Sequence, residues 1–351
     1  MKSIVVGGNF GENPKASSVA LKLSEQLNSD LVNGGTIEEL RSASNVKSYD
    51  LIIWAANVDN EVEKIYPVKS TGAVLICTKA MWEDRNFGDA VSRVFKMSAN
   101  AVIAIGLAKP FHFDLIDALG NNWCSTPYID DLAVKIQELY DWSKSSIRIK
   151  SIPVKQITTQ LWNDSQTTKN TLDHLCDIVK TVADKVENER GGRYFGNVST
   201  RCAKMFPSVR RFNDNDLIAV SARNTPKDRL TREDFVFTEL GDNEVYYEGD
   251  RKPSVDTPVQ LHLYKKLKHI NFMIHGHAYI QGAPFTEHYY PCGDLREVEA
   301  IEEIIDDQKI AFRINLRNHG FLIAATDLIA LRHYAETATF TYRGVGEEKK
   351  S

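Results

Sequence analysis

Phe272-Met273-Ile274-His275-Gly276-His277 is an apolar run that enters a histidine pair two residues apart. On a strand, side chains at i and i+2 fall on the same face, so both imidazoles can point at one ion, and the glycine between them adds no bulk. A third histidine stands in Arg317-Asn318-His319-Gly320, just before the apolar run Phe321-Leu322-Ile323, which puts it at a strand end or in a tight turn. Three imidazoles leave positions open for water or substrate, the arrangement of catalytic rather than structural zinc. From the pair alone, a metal site and a surface pair are both open.

Outward from that core, residues 171–188 carry Leu172, Leu175, Ile178, Val179, Val182 and Val186 at helical spacing, ending before Gly191-Gly192. Then come Gly196-Asn197-Val198-Ser199, the strand Leu217 to Ser221, Leu230-Thr231-Arg232-Glu233-Asp234-Phe235-Val236, and Lys252-Pro253-Ser254-Val255-Asp256-Thr257-Pro258. The histidine pair follows, then Tyr290-Pro291-Cys292-Gly293 and Asn318-His319-Gly320. In this order, over roughly residues 165 to 345, the motifs resemble the class II sugar-phosphate aldolase, epimerase and adducin-head family. The resemblance implies an α/β/α domain in which His275, His277 and His319 hold zinc or another divalent ion. In the family that ion grips the hydroxyl and carbonyl oxygens of a ketose phosphate and stabilises an enediolate. Carbon–carbon cleavage beside a ketone leaves a carbanion, so the charge must be stabilised on oxygen where it develops.

Asp256 occupies the slot of the family's acidic residue, which ligates the metal or acts as a base. It is also a natural helix N-cap before Thr257-Pro258, and both roles stand open. Glu287, with His288 beside it, is a second candidate for proton transfer; the alternative is a solvated turn. Tyr334 and Tyr342 lie in the C-terminal part, from which tyrosines reach a neighbouring subunit's site in the family; packing is their other explanation. Of the family's phosphate pocket, Gly196, Asn197 and Ser254 match. Arg223-Asn224 replaces a Thr/Ser-Gly pair and Val255 a second serine. Arg223 could take phosphate or carboxylate bidentately, or be a solvated loop residue.

From residue 2 to about 145, short β-branched runs alternate with helical segments. The strands are Ser3-Ile4-Val5-Val6, Asp30-Leu31-Val32, Leu51-Ile52-Ile53-Trp54, Ala73-Val74-Leu75-Ile76 and Ala101 to Ile105; the helices are 17–27, 36–42, 87–97 and 130–143. Continuous apolar strands separated by helices predict an open parallel sheet covered on both faces, flavodoxin-like or Rossmann-like. The turn after the first strand contains Gly8, Gly11, Lys15 and Ser17, a candidate phosphate loop at a helix N-terminus, although neither G-x-G-x-x-G nor G-K-[ST] is present. Thr78-Lys79 should lie at the same sheet edge, where ligands of open α/β sheets bind. The alternative is a docking or oligomerisation domain. The alternating SIRIKSIPV after Ser145 looks like a connector or an edge strand. The expected organisation is therefore an α/β domain over 1–150 and a class II aldolase-like domain over 160–351.

At 351 residues, with 42% hydrophobic and 26% charged residues, the chain has room for two cores. A net charge of -4 gives no general attraction to nucleic acid or anionic lipid, so an anionic ligand must be held locally. Five cysteines, odd in number and without a C-x-x-C, suggest neither a disulfide framework nor a thiolate zinc site, and read as a reducing cytoplasm. The start, MKSIVVGGNFGENP, has no signal-peptide pattern, and no apolar stretch reaches the roughly 20 residues a membrane span needs. The resemblance further implies a small-molecule sugar phosphate or related substrate and a homo-oligomer, a tetramer first. Retro-aldol cleavage is the first expectation for the activity. Pentulose-phosphate 4-epimerisation and dehydration use the same scaffold, and an adducin-head-like assembly protein would use it without catalysis.

Overall fold

The computed structural model describes residues 1–10, 18–58, 65–70, 72–81, 87–106, 112–118, 120–148, 152–158, 162, 164–186, 189–190, 193–202, 217–241, 244–288, 290, 292–305, 309–317 and 319–341. It divides into two compact units, Met1–Ile149 and Lys150–Ser351.

The first unit runs β1 (Ser3–Phe10), α1 (Ser18–Gln26), β2 (Asp30–Gly35), α2 (Ile37–Ala43), β3 (Leu51–Val58), β4 (Val74–Met81), α3 (Phe87–Lys96), β5 (Ala101–Gly106), β6 (His112–Asp117), β7 (Asn122–Thr126) and α4 (Ile129–Arg148). Its sheet has the order β2-β1-β3-β4-β5-β6-β7. The first five strands in that order are parallel, as their unbroken apolar runs predict. Successive residues serve opposite faces. Ile4, Val6, Ile52 and Trp54 pack with Leu40 of α2 and Val91 and Val94 of α3. Val5 and Ile53 pack with Leu23 of α1 and Leu132 and Ile136 of α4. The antiparallel pair β6 and β7 is an addition to the expected sheet. Its sequence, with Asp114, Asp117 and Asn122 among the apolar residues, gives no clean strand period. Asp117 instead organises the turn by accepting from the Asn121 backbone and side-chain amides and from Trp123 Nε1 at 2.7–3.0 Å.

The second unit runs β8 (Val154–Ile157), α5 (Gln166–Ala183), β9 (Glu189–Arg190), β10 (Arg193–Tyr194), β11 (Asn197–Cys202), β12 (Leu217–Ser221), β13 (Phe235–Leu240), β14 (Val245–Glu248), α6 (Thr257–Lys266), β15 (Phe272–Gly276), β16 (Tyr279–Ile280), α7 (Arg296–Glu302), β17 (Ala311–Leu316), β18 (Gly320–Ala325), α8 (Leu328–Glu336) and β19 (Phe340–Thr341). Eight strands form one sheet in the order β17-β18-β15-β11-β12-β13-β14-β8. Every pairing in it is antiparallel except that of β14 with β8, which is parallel and makes Val154–Ile157 an edge strand; of the SIRIKSIPV segment only its last residue, Val154, belongs to that strand, and its start, residues 146–148, closes α4.

Helices cover both faces of this sheet. α5 begins where the Ser165 hydroxyl accepts from the Thr168 amide, and with α8 it buries Leu172, Leu175, Ile178 and Leu331 against Ile274 and Ile323. On the opposite face, Leu261 and Tyr264 of α6 and Val298 and Ile301 of α7 pack on Met273 and Leu322. The histidine strand β15 is therefore interior, flanked by β11 and β18. Its end is held in place by two layers of apolar packing.

Candidate metal centre

His275 is the fourth residue of β15, paired with Asn197 on one side and Leu322 on the other, and 5% exposed. His277 lies just past the end of that strand. His319 precedes β18, whose first residue, Gly320, lets the two strand ends approach. A Cβ on Gly320 would sit 2.0 Å from the Gly276 carbonyl oxygen. The histidine pair and His319, 42 positions beyond His277 (319 − 277), thereby meet: one ligand atom from each lies within 4.8 Å of the others. Their ring centroids are 4.7, 5.1 and 5.6 Å apart.

The hydrogen bonds on the far ring nitrogens set which nitrogen is free to ligate. His275 Nδ1–H donates to the Phe321 carbonyl at 2.9 Å; a carbonyl only accepts, so the proton is on Nδ1 and the lone pair on Nε2. That Nε2 is 3.7 Å from Asp256 Oδ2. His319 Nδ1 lies 2.6 Å from Glu297 Oε1 and donates to it, which turns Nε2 toward Cys292 Sγ at 3.2 Å and Asp256 Oδ1 at 3.8 Å. Burial by itself would lower the pKa of His319, but Cys292, Glu297 and Asp256 around it outweigh burial and hold it well above the usual histidine value. Burial pushes the Glu297 carboxyl up, and the adjacent imidazole opposes that.

Asp256 resolves its two possible roles in an informative way. It stands at the N-cap of α6, yet its side chain makes no capping hydrogen bond. Its carboxylate is turned instead toward His275 and His319. Asn197 donates to Oδ2 at 3.4 Å, and Asn197 is itself held by Ser254 Oγ at 3.1 Å and by Gln260 Nε2. Asp256 Oδ1 is buried without a hydrogen-bond partner among the described residues. A bare, buried carboxylate oxygen is costly, and a cation is the group that would satisfy it together with the imidazole lone pairs. Three imidazoles with a carboxylate, and a thiol in reserve, are a donor set that fits a divalent ion such as zinc, whose binding would displace the proton from His319 Nε2. Asp256, Cys292 and His319 form a second converging group that shares His319 with the first.

The other anticipated site residues are not brought to this cluster in the same way. Gly196 has φ +73°, and a Cβ there would lie 2.4 Å from the His275 carbonyl oxygen, so its smallness serves the approach of β11 to β15. Asn197 and Ser254 spend their polar groups on positioning Asp256. Arg223 is exposed, and its backbone N–H donates to the Lys252 carbonyl. Glu287 and His288 are exposed and outside the converging groups. Tyr334 is half-buried on α8 with the Arg313 guanidinium over its ring. In the first unit, Gly8 packs against the backbone at Gly34, and Thr78 and Lys79 lie within β4. Gly11, Lys15, Ser17 and Tyr342 lie outside the described residues. No helix among the described residues is long and apolar enough to cross a membrane.

Two cluster members went unread in the sequence. Cys292 was visible only as part of a Pro-Cys-Gly run, and Glu297 stands among several acids that the sequence does not tell apart. Burial pushes the thiols of Cys77, Cys176 and Cys202 up to about 12 and that of Cys124 to about 11, which sets those four apart as packing residues.

Comparison with known structures gives similarity at low identity. A sugar-phosphate aldolase from Thermotoga maritima matches at 14% identity and a TM-score of 0.36, covering 48% of this chain and 94% of that one. An L-fuculose 1-phosphate aldolase matches at 19% identity and a TM-score of 0.34, covering 49% and 81%. A DNA/pantothenate metabolism flavoprotein from Streptococcus pneumoniae matches at 12% identity and a TM-score of 0.31, covering 39% and 97%. Residues 176–283, which include Asp256, His275 and His277, match the family described as the Class II Aldolase and Adducin N-terminal domain.

Proposed function

We propose that the second unit is a metal-dependent lyase that cleaves a carbon–carbon bond beside a carbonyl group by retro-aldol chemistry, acting on a sugar phosphate or a related hydroxy-carbonyl compound. The observation that carries this is the orientation of Asp256, a helix-start aspartate whose carboxylate faces two histidines rather than its helix. His275, His277 and His319 would hold a divalent ion, zinc first, with Asp256 either completing the set or standing beside it. Bound there, the ion supplies Lewis acidity toward the substrate's oxygens. The chain's own contribution is positional and protonic. Phe321 and Glu297 fix the ring orientations of His275 and His319, and Asn197 holds one oxygen of Asp256 while leaving Oδ1 to accept or return a proton at the substrate. Burial of the cluster excludes bulk water from the reacting carbon. The family's interfacial sites lead us to propose a homo-oligomer, with a tetramer as the expected state.

The test is metal analysis of protein purified without added metal, followed by turnover on a panel of hydroxy-carbonyl compounds read for both aldehyde release and epimer formation. About one divalent ion per chain is expected, lost in His275→Ala and in His319→Ala. Unchanged metal content in both variants would remove the assignment. Full metal loading with no turnover of any panel member would leave the fold serving assembly alone.

A further inference from the structure

His275 and His277 line one side of a small, partly open cavity of about 30 Å³, whose other wall is apolar: Val179 and Val182 of α5, Val186 just beyond its end, and Phe195. One cation, Lys227, also lines it. Lys227 is 6% exposed and is the single Lys or Arg among the described residues that is buried. An ammonium carries three donors, and this one makes one hydrogen bond among the described residues, to the Thr225 carbonyl at 2.6 Å. No described carboxylate lies within ion-pair distance of it. The acid that acts on it, Asp234, is committed to Arg251 at 2.7 Å. A buried charge is ordinarily paired, because its desolvation is otherwise uncompensated. Among the described residues no compensating anion stands beside it, while the group lines a cavity that a ligand can enter.

We propose that this cavity binds a small 2-oxo or 2-hydroxy carboxylic acid, with Lys227 taking its carboxylate, α5 its apolar substituent, and the histidine end its carbonyl or hydroxyl oxygen. The choice of carboxylate over phosphate follows from the lining. A phosphate dianion is held by several convergent donors, as at glycine-rich helix starts. The residues expected to supply them are spent elsewhere: both amide hydrogens of Asn197 go to Ser254 and Asp256, and Arg223 is exposed. One cation in an apolar wall matches one negative charge. Burial lowers the pKa of Lys227 to about 8, as it should for an ammonium whose partner arrives from outside. The oxygen end of this proposal rests on the metal-site assignment; the Lys227 end does not.

The experiment is calorimetric titration of the full-length, zinc-supplemented protein with 2-oxobutyrate, with its uncharged counterpart 1-hydroxy-2-butanone, and with inorganic phosphate. It is run on the parent, Lys227→Met and Lys227→Gln, with zinc content and a thermal melt recorded for each. The expected result is that 2-oxobutyrate binds the parent and is weakened at least tenfold in both variants, while the neutral ketone is unaffected and zinc is retained. A purely structural lysine would weaken both compounds together, and that outcome overturns the proposal. So does equal 2-oxobutyrate binding by parent and variants, its absence in the parent, or tighter binding of phosphate. A parent without zinc whose 2-oxobutyrate binding still depends on Lys227 sinks the metal assignment and keeps the carboxylate site.

Discussion

Asp256, Glu297 and Lys227 are three buried charged groups with three different fates, and each predicts a different experiment. Because the Asp256 side chain does not cap α6, Asp256→Asn should leave stability near the parent's. If it moves protons, turnover should fall by roughly 10²–10⁴, the usual share of a general acid or base. An Asn variant with full activity would take Asp256 out of the chemistry. Glu297 touches the proposed metal only through His319, so Glu297→Gln should weaken zinc retention against a competing chelator by about 10–100-fold, the range for such outer partners. Unchanged retention would leave Glu297 as a packing residue. Lys227 is the destabilising member. Its pKa is about 8 in the folded chain against 10.5 when exposed, so between these pH values the unfolded chain holds a proton that the folded chain has shed. Stability therefore rises with pH across that window, and below it the full cost is present, about 3 kcal/mol at 1.36 kcal/mol per pKa unit. Lys227→Met should be more stable than the parent at pH 7, with the gap closing toward pH 10.5. Denaturant melts showing a pH-independent gap would contradict this.

At the scale of elements, the close approach of β15 and β18 decides whether the histidines meet. Gly320→Ala places a methyl group 2.0 Å from the Gly276 oxygen, and the strand ends must part to admit it. The expected outcome is a loss of about 1–3 kcal/mol, the cost of an overpacked site, together with loss of zinc. Full zinc content and an unchanged melting temperature would show that the approach is not required. The same elements show what could be read beforehand. The H-x-H pair and Asn-His-Gly were legible because each packs its message into a few consecutive residues on a strand or turn. The parallel strands of the first unit were legible because burial on both faces leaves an unbroken apolar run. Cys292 and Glu297 were not, because they reach His319 from a separate turn and from α7, and a lone cysteine or a helix glutamate carries no local sign of its partner. Lys227 sits in the polar string Thr225-Pro226-Lys227-Asp228-Arg229, where nothing distinguishes a buried lysine from a solvated one. The β6–β7 pair was hidden by the polar residues that make its turn.

For the molecule as a whole, the edge strand β8 makes the boundary between the units consequential. A chain begun at residue 150 keeps β8, whereas one begun at 160 removes it and leaves the backbone of β14 bare along one side. Exposed edges recruit other strands, so the shorter fragment should aggregate and the longer one remain soluble with its metal. Comparable solubility by size-exclusion chromatography would show β8 to be dispensable. The pairing of Val154 with Val245 also has a meaning in time. During synthesis β8 emerges first and must wait, unpaired, for a partner made much later, while the interior strand β15 needs both β11 before it and β18 after it. Such non-local closure is slow, and little of this sheet can be completed until the segment carrying His319 has left the ribosome. The proposed metal site thus closes only with the last strand of this sheet, and a chain halted short of it should present only unfinished sheet to the cell's chaperones and proteases.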